Sequence, residues 1–349
     1  MLLTCALVGT TNHVDVCALL RVEGACASGG LAFACAMESV QAGTSDVALV
    51  AGVEVQTTVS SRIGGDYLAR ASHYRRQRGL DDFTFPALFA QRIKACQEGL
   101  GLTLDDLGLL SAKAYANANK NPKAHMTAVE MDLSVASSPN HPKNPCFLEN
   151  EELAPFLRLS DCSQVSDGGA ALILVSEEGL HKLGKKPEDA VEVIGLGVAT
   201  GNLYENSDPL SLLTTAVAAE NAYAQAGVAP AQIGVAEVHD CFTVTEPLMC
   251  DALRLGDSKG KNGQDARGLD LVRSGSLEID GRIPCNTGGG LVGFGHPVGA
   301  TGVKQILEVY RQMKGLCGEY QVPNIPALGV TANMGGDDKT AVVSVFRNL

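Results

Sequence analysis

The chain has 349 residues, 45% of them hydrophobic, with 39 Gly and no Trp, enough for two domains or one large one. Lys and Arg number 27 against 39 Asp and Glu, a net charge of −12. This argues against nucleic acid as the main partner, since phosphate backbones are bound by a surplus of cations. Eleven cysteines without a Cys-x-x-Cys argue for a reducing, intracellular compartment over a disulfide framework.

In chain order, residues 2–8 read as a strand. They carry no basic stretch that would make them a signal peptide, and no run of the chain reaches transmembrane length. A polar turn follows around Thr10, Asn12 and His13. Cys5, His13, Cys17 and Cys26 match no zinc-binding spacing, so no metal is expected. A β-leaning stretch (Leu19, Leu20, Val22) then runs into the small residues Gly24-Ala25-Cys26-Ala27-Ser28-Gly29-Gly30 and a helical run from Leu31. Cys26 therefore sits at a strand-to-helix turn, where free N–H groups and the helix dipole favour a thiolate. A small buried cysteine is the alternative at this point.

The apolar run from Asp46 to Val53 predicts a strand covered on both faces. Strand, helix and strand together predict a parallel sheet. From about 56 to 162 the pattern weakens into an inserted loop subdomain, with a helix near 86–99 and a basic cluster at 70–78. Those arginines suit phosphates or a solvated face equally. A buried strand at 167–175 closes a first domain, 1–178, and a charged turn-rich stretch separates it from a second, 188–349.

The second half reads as a strand (190–200), a helix (212–226) ended by Gly227, and a strand (235–238) running into His239-Asp240-Cys241-Phe242. A helix at 245–255 and a glycine-rich loop at 285–302 follow; the loop lacks the Gly-Lys-Ser/Thr of a nucleotide site. A helix (303–313) and two strands (328–332 and 340–346) around Asn333-Met334-Gly335-Gly336 complete the chain. The two similar halves point to an internal duplication.

Four motifs fall in register: Ala25-Cys26-Ala27-Ser28-Gly29, His239-Asp240-Cys241-Phe242, Gly295-His296-Pro297 with Gly299 and Gly302, and the Asn333-Met334-Gly335-Gly336 turn. Over residues 20–349 the chain thereby resembles the thiolases, most closely their sterol-carrier-protein type. That type has His-Asp-Cys-Phe where other thiolases have Asn-Glu-Ala-Phe, and lacks the cysteine of the last turn. The resemblance implies an α/β fold of two halves in an αβαβα layering with mixed five-stranded sheets.

It also implies an activity, CoA-dependent cleavage of 3-oxoacyl-CoA through an acyl-cysteine, releasing acetyl- or propionyl-CoA in lipid metabolism and β-oxidation. By resemblance Cys26 is the nucleophile, His296 takes its proton, and Cys241 serves as the second acid/base. His239 and His296 then serve the enolate oxygen, the backbone N–H groups of Cys26 and Gly335 serve the tetrahedral intermediate, and Asn333 supports them. Arg70, Arg75, Arg76 and Lys123 are candidates for CoA, which is a substrate; no cofactor is expected.

Acyl-CoA and CoA are then the partners, in a homodimer, in the peroxisome or mitochondrial matrix, although Arg347-Asn348-Leu349 is not a Ser-Lys-Leu address. A non-catalytic acyl-CoA-binding protein and a Claisen-condensing relative of the ketoacyl synthases are the alternatives. Only 25 residues precede Cys26, fewer than in typical thiolases, so the first sheet is expected to lack a strand unless residues 2–8 replace it.

Overall fold

A computed structural model of the protein describes residues 3–8, 18–256 and 267–349. The turn expected at Thr10, Asn12 and His13, together with Cys17, lies outside them.

The first sheet contains β1 (Leu3–Val8), β2 (Ala18–Arg21), β3 (Val47–Glu54) and β4 (Gly168–Val175), side by side in the order β2-β1-β3-β4. The second contains β5 (Val191–Thr200), β6 (Val235–Val238), β7 (Leu328–Gly335) and β8 (Thr340–Asn348), in the order β5-β8-β7-β6. The described residues thus give four strands to each sheet, not five.

The parallel pairing expected for the first strand is not what forms. β1 runs antiparallel to β3, with Leu3 opposite Val53 and Val8 opposite Ala48. The reason is local: β1 and β2 make a hairpin, Cys5 opposite Arg21. It is β2 that feeds the following helix. β2 therefore shares the direction of β3 with β1 between them, which preserves the crossover logic but not the neighbour. In the second sheet β6 and β7 are parallel and β7 and β8 antiparallel.

Two helices fill the space between the sheets, α1 (Ser28–Gln41) after Cys26 and, near the C-terminus, α12 (Thr301–Met313) after His296. Ala32, Phe33 and Ala36 of α1 pack with Ile306, Val309 and Met313 of α12 against Val50 of β3 and Phe346 of β8. A fully buried side chain of this size contributes roughly 1.5–3 kcal/mol. The helix starts touch backbone to backbone: a Cβ at Gly302 would lie 2.3 Å from the Gly30 nitrogen and 2.2 Å from Asn333 Oδ1, so no side chain fits there.

Between β3 and β4 run α2 (Ser61–Ala69), α3 (Tyr74–Gln77), α4 (Thr84–Leu100), α5 (Leu104–Asn119) and α6 (Leu133–Ala136). This region is more helical than the loop-like insert expected. Thr103 and Asp106 form a reciprocal capping box that starts α5. α7 (Glu177–Lys182) follows β4.

α8 (Leu213–Ala226) covers the outer face of the second sheet through buried Ala218, Ala219 and Ala222, and ends at Gly227 with φ +64°. α9 (Thr245–Ala252), α10 (Gly268–Arg273) and α11 (Gly290–Phe294) lead on to α12. The layers around α1 and α12 are those of an αβαβα arrangement, with one difference on the first sheet. β3 and β4 are covered on one face only: residues 48, 50, 52 and 54 are buried, whereas Ile173 is 58% exposed and Val53 49%. On the second sheet β5 closes the far side of β8; on the first, no described strand closes the far side of β4. An open edge leaves N–H and C=O groups to water. A thermal melt of the chain by itself is accordingly expected to show a midpoint below about 60 °C.

Candidate functional site

Cys26 lies in a 3-10 turn, Ala25–Ala27, that joins β2 to α1. The turn is bent: Ala25 has φ +53°, a region that costs a non-glycine residue of order 1 kcal/mol. Hydrogen bonds hold it there. The Ala25 N–H donates to the Glu23 carboxylate at 2.8 Å, and the Ser28 hydroxyl donates to the Ala25 carbonyl at 2.6 Å. The Cys26 carbonyl accepts from Asn333 Nδ2 at 3.0 Å.

Across the cavity, β6 delivers His239 and Cys241, and the loop between α11 and α12 delivers His296. The Sγ of Cys26 and a ring nitrogen of each of His239 and His296 lie within 4.8 Å of one another. The two imidazoles meet edge to face with centroids 5.1 Å apart. Among the described residues this is the one His/Cys/Asp/Glu group of metal-binding compactness.

Hydrogen bonding assigns opposite tautomers to the two rings. The Thr301 hydroxyl donates to the Pro297 carbonyl at 3.1 Å, so it accepts from His296 Nδ1, 2.7 Å away. The hydrogen of His296 is therefore on Nδ1, and its buried Nε2 is left as a lone pair with no partner. Asn333 does the reverse for His239. Its Oδ1 accepts the Gly30 N–H at 3.0 Å, which turns the amide nitrogen toward the Cys26 carbonyl and toward His239 Nδ1, 3.2 Å away. His239 Nδ1 accepts, so Nε2 carries the hydrogen. One imidazole can take a proton from Cys26; the other can donate to an oxyanion. A metal would need lone pairs on both rings and a thiolate, and the Asn333 amide withholds this from His239.

Burial sets the charge states. It pushes the Cys26 thiol up to about 12, against the opposing amide N–H groups of Gly336 and of Cys26 itself. The helix N-terminus thus does not make a resting thiolate here, and the thiol needs a base. Burial lowers His296 to about 3 and takes His239 well below the ordinary imidazole value. Both rings are neutral at physiological pH.

Two consequences follow for His296. The pH profile of activity is expected to lack the acid limb near 6.5 that a solvated histidine base produces, and a limb between pH 6 and 7 would contradict the assignment. On linkage, the unfolded chain binds a proton at this ring below about 6.5 and the folded chain does not until about 3. Stability supplied by the neutral ring is therefore present above 6.5 and is lost on acidification, by about 2 kcal/mol between pH 6.5 and 5. Melts of the protein and of His296→Asn across that range measure it.

The amide aimed at Cys26 Sγ is that of Gly336, one residue beyond the Gly335 expected. Gly335 is still in the β7–β8 ladder opposite Thr340. The turn frees the next N–H, at a glycine with φ +65°.

Cys241 is buried and lies outside the 4.8 Å group. It is near enough to Cys26 that charge on that sulfur, after burial, raises its pKa well above the thiol range. Its loop is anchored by the Ser163 N–H on its carbonyl at 2.8 Å and by Phe242 stacked on Phe89 at 4.3 Å.

Arg70, Arg75 and Arg76 sit on the segment from α2 to α3, and Lys123 in the turn after α5. Arg70 lies between the rings of Tyr67 and Tyr74, 5.8 Å from each. Thr301, Gly336 and Gln56, whose amide donates to the His296 carbonyl at 2.8 Å, escaped the sequence reading. Only the closeness of Thr301 to His296 in the chain could have pointed to any of them.

Residues 7–178 match the family profile "Thiolase, N-terminal domain", and residues 195–348 match "Thiolase C-terminal domain-like". An acetyl-CoA acetyltransferase of Methanothermobacter thermautotrophicus is 35% identical over 93% of this chain and 79% of its own length. Sterol carrier protein 2 of Rattus norvegicus is 28% identical over 94% of this chain and 58% of its own length. Among solved structures, the Ltp2-ChsH2(DUF35) aldolase superposes with a TM-score of 0.68 at 22% identity, covering 92% of this chain and 78% of its own. No helix among the described residues is long and apolar enough to cross a membrane. The chain belongs to the thiolase family, with an acetyl-CoA acetyltransferase among its relatives.

Proposed function

We propose that the protein is an acyltransferase that cleaves 3-oxoacyl-CoA with CoA, through an acyl group on Cys26. The reading is carried by the opposed tautomers around one sulfur. His296 Nε2 takes the thiol proton as Cys26 Sγ attacks the ketone carbon. The alkoxide so formed is held by the N–H groups of Cys26 and Gly336. The bond between C2 and C3 then breaks, leaving the acyl thioester on Cys26 and the enolate of acetyl-CoA or propionyl-CoA. His239 Nε2–H and the newly protonated His296 donate to the enolate oxygen, and Cys241 gives its proton to C2. In the second half Cys241, now a thiolate, takes the proton of the incoming CoA thiol, which attacks the acyl-cysteine; the bond to Cys26 Sγ breaks, acyl-CoA leaves, and His296 returns its proton to the Cys26 thiolate.

The chemistry asks for no metal and no group beyond CoA. With this reading go a homodimer joined through the first sheet, a place in lipid metabolism and β-oxidation, and a peroxisomal or mitochondrial site of action.

The test is turnover of acetoacetyl-CoA with CoA, followed as loss of enolate absorbance. No turnover, together with no labelling of Cys26 by acetyl-CoA, favours a binding protein. Condensation without measurable thiolysis favours a relative of the ketoacyl synthases. Cys241→Ala is expected to lower thiolysis at least 100-fold, the scale of a lost general acid, and a variant as fast as the parent would remove Cys241 from the mechanism.

A further inference from the structure

A cavity of about 520 Å³ opens beside the catalytic turn, lined in part by Arg76, Gln77, Gln91, Arg92, Ser207 and Asp337. Its volume is that of a small-ligand pocket, and Leu80, Leu88, Ala95 and Pro209 share the lining with these polar residues. Asp337 follows Gly336 directly, so the cavity wall begins one residue from the amide that faces Cys26 Sγ. In the tetrahedral adduct the carbon on Cys26 bears sulfur, the alkoxide, the thioester half and the acyl tail. With the alkoxide at the Cys26 and Gly336 amides and the thioester half at the imidazoles, the tail would leave past the Gly336–Asp337 peptide toward this cavity, which Cys26 itself does not line.

The charges in the lining are two cations and one anion. Arg92 is buried and ion-paired: its guanidinium donates to Asp337 Oδ1 at 2.7 Å and to the carbonyls of Asp208 and Ser211 at 2.8 and 3.1 Å. Asp337 is thereby neutralised. Arg76 stands differently: one Nη donates to the Tyr204 carbonyl at 3.0 Å, and a guanidinium carries five donors. The lining therefore presents one uncompensated cation, flanked by the amides of Gln77 and Gln91. Arg76 and Gln91 are exposed to solvent, where a guanidinium pairs with a carboxylate in two parallel hydrogen bonds, while Leu80, Leu88 and Ala95 suit the methylenes that lead to it. A single positive charge matches a single carboxylate and falls short of the several charges on the phosphates of CoA.

We infer that the acyl group this protein handles carries a carboxylate at its far end, received by Arg76 with Gln77 and Gln91. The inference deepens the thiolase reading and rests on it for the place of the acyl tail.

Binding tests it apart from turnover. On Cys26→Ala protein, dissociation constants are measured for acyl-CoA pairs of equal chain length, one ending in a carboxylate and the other in a methyl group, and again after adding Arg76→Glu or Arg76→Gln. The carboxylate-ended member is expected to bind at least tenfold tighter. Arg76→Glu should reverse the order, and Arg76→Gln should bring the two close together. Tighter binding of the methyl-ended member, or a ratio indifferent to Arg76, overturns the inference. Acetoacetyl-CoA turnover on the parent protein, measured alongside, reports separately on the thiolase reading: its absence sinks that reading, while turnover with an unmoved binding ratio sinks only this one.

Discussion

Cys26→Ala is expected to lower kcat/KM for thiolysis of acetoacetyl-CoA by roughly 10⁴-fold or more, about 5.5 kcal/mol of transition-state stabilisation. No other described thiol can take over. Cys241 is the nearest alternative in the mechanism, but it lies outside the group formed by Cys26 Sγ and the two imidazoles, and burial keeps it a thiol. The variant should bind acyl-CoA and melt close to the parent temperature, because replacing one SH by hydrogen in this small, half-buried residue leaves only a small void. Mass spectrometry after incubation with acetyl-CoA should find the parent acetylated at Cys26 and the variant unmodified. An acetyl group on any other cysteine of an active variant would displace Cys26 as nucleophile.

Asn333 is expected to matter almost as much, although it touches no substrate. One side chain holds the Gly30 N–H at the start of α1, the Cys26 carbonyl in the nucleophile turn and the Nδ1 of His239. Asn333→Ala orphans a buried N–H and loosens the turn, a loss of about 2–3 kcal/mol in stability. Asn333→Asp is the sharper variant. A carboxylate accepts where the amide donated, so His239 would turn its hydrogen to Nδ1 and offer a lone pair to the enolate oxygen. kcat should then fall 100-fold or more, while KM for CoA stays near the parent value. Asn333→Asp with parental kcat would refute the tautomer assignment of His239.

The parts of the candidate site visible along the chain are those with chemically distinctive side chains. Cys26, His239, Cys241 and His296 sit in short motifs with residue types that suit thiol chemistry, so their order was recognisable. The resting state of Cys26 was not: a helix N-terminus suggested a thiolate, but desolvation outweighs the amides of Gly336 and Cys26, and its size depends on packing from segments far apart in sequence. That the amide facing Cys26 Sγ is that of Gly336, and not the neighbouring Gly335, was hidden for a similar reason. Which N–H of a glycine pair is free depends on hairpin register, and glycine has no side chain to mark it.

Strand positions in the second half, such as 190–200 and 235–238, were legible because apolar runs between turn residues constrain them locally. The neighbour of β3 was not legible. Whether β1 or β2 lies beside it depends on the hairpin they form, which leaves the direction of the crossover unchanged and so leaves no trace in its pattern.

The family, the two halves and the motifs that carry Cys26, His239, Cys241 and His296 were thus written into residue types and their spacing, since chemistry and local propensity act over a few residues. The tautomers of His239 and His296, the thiol state of Cys26 and the cavity beside Asp337 came into being only when the chain closed up. The His239 tautomer depends on Asn333, 94 residues away, that of His296 on the turn that brings Thr301 back onto its ring, and the thiol state on exclusion of water by many residues at once; none of these is fixed by local propensity.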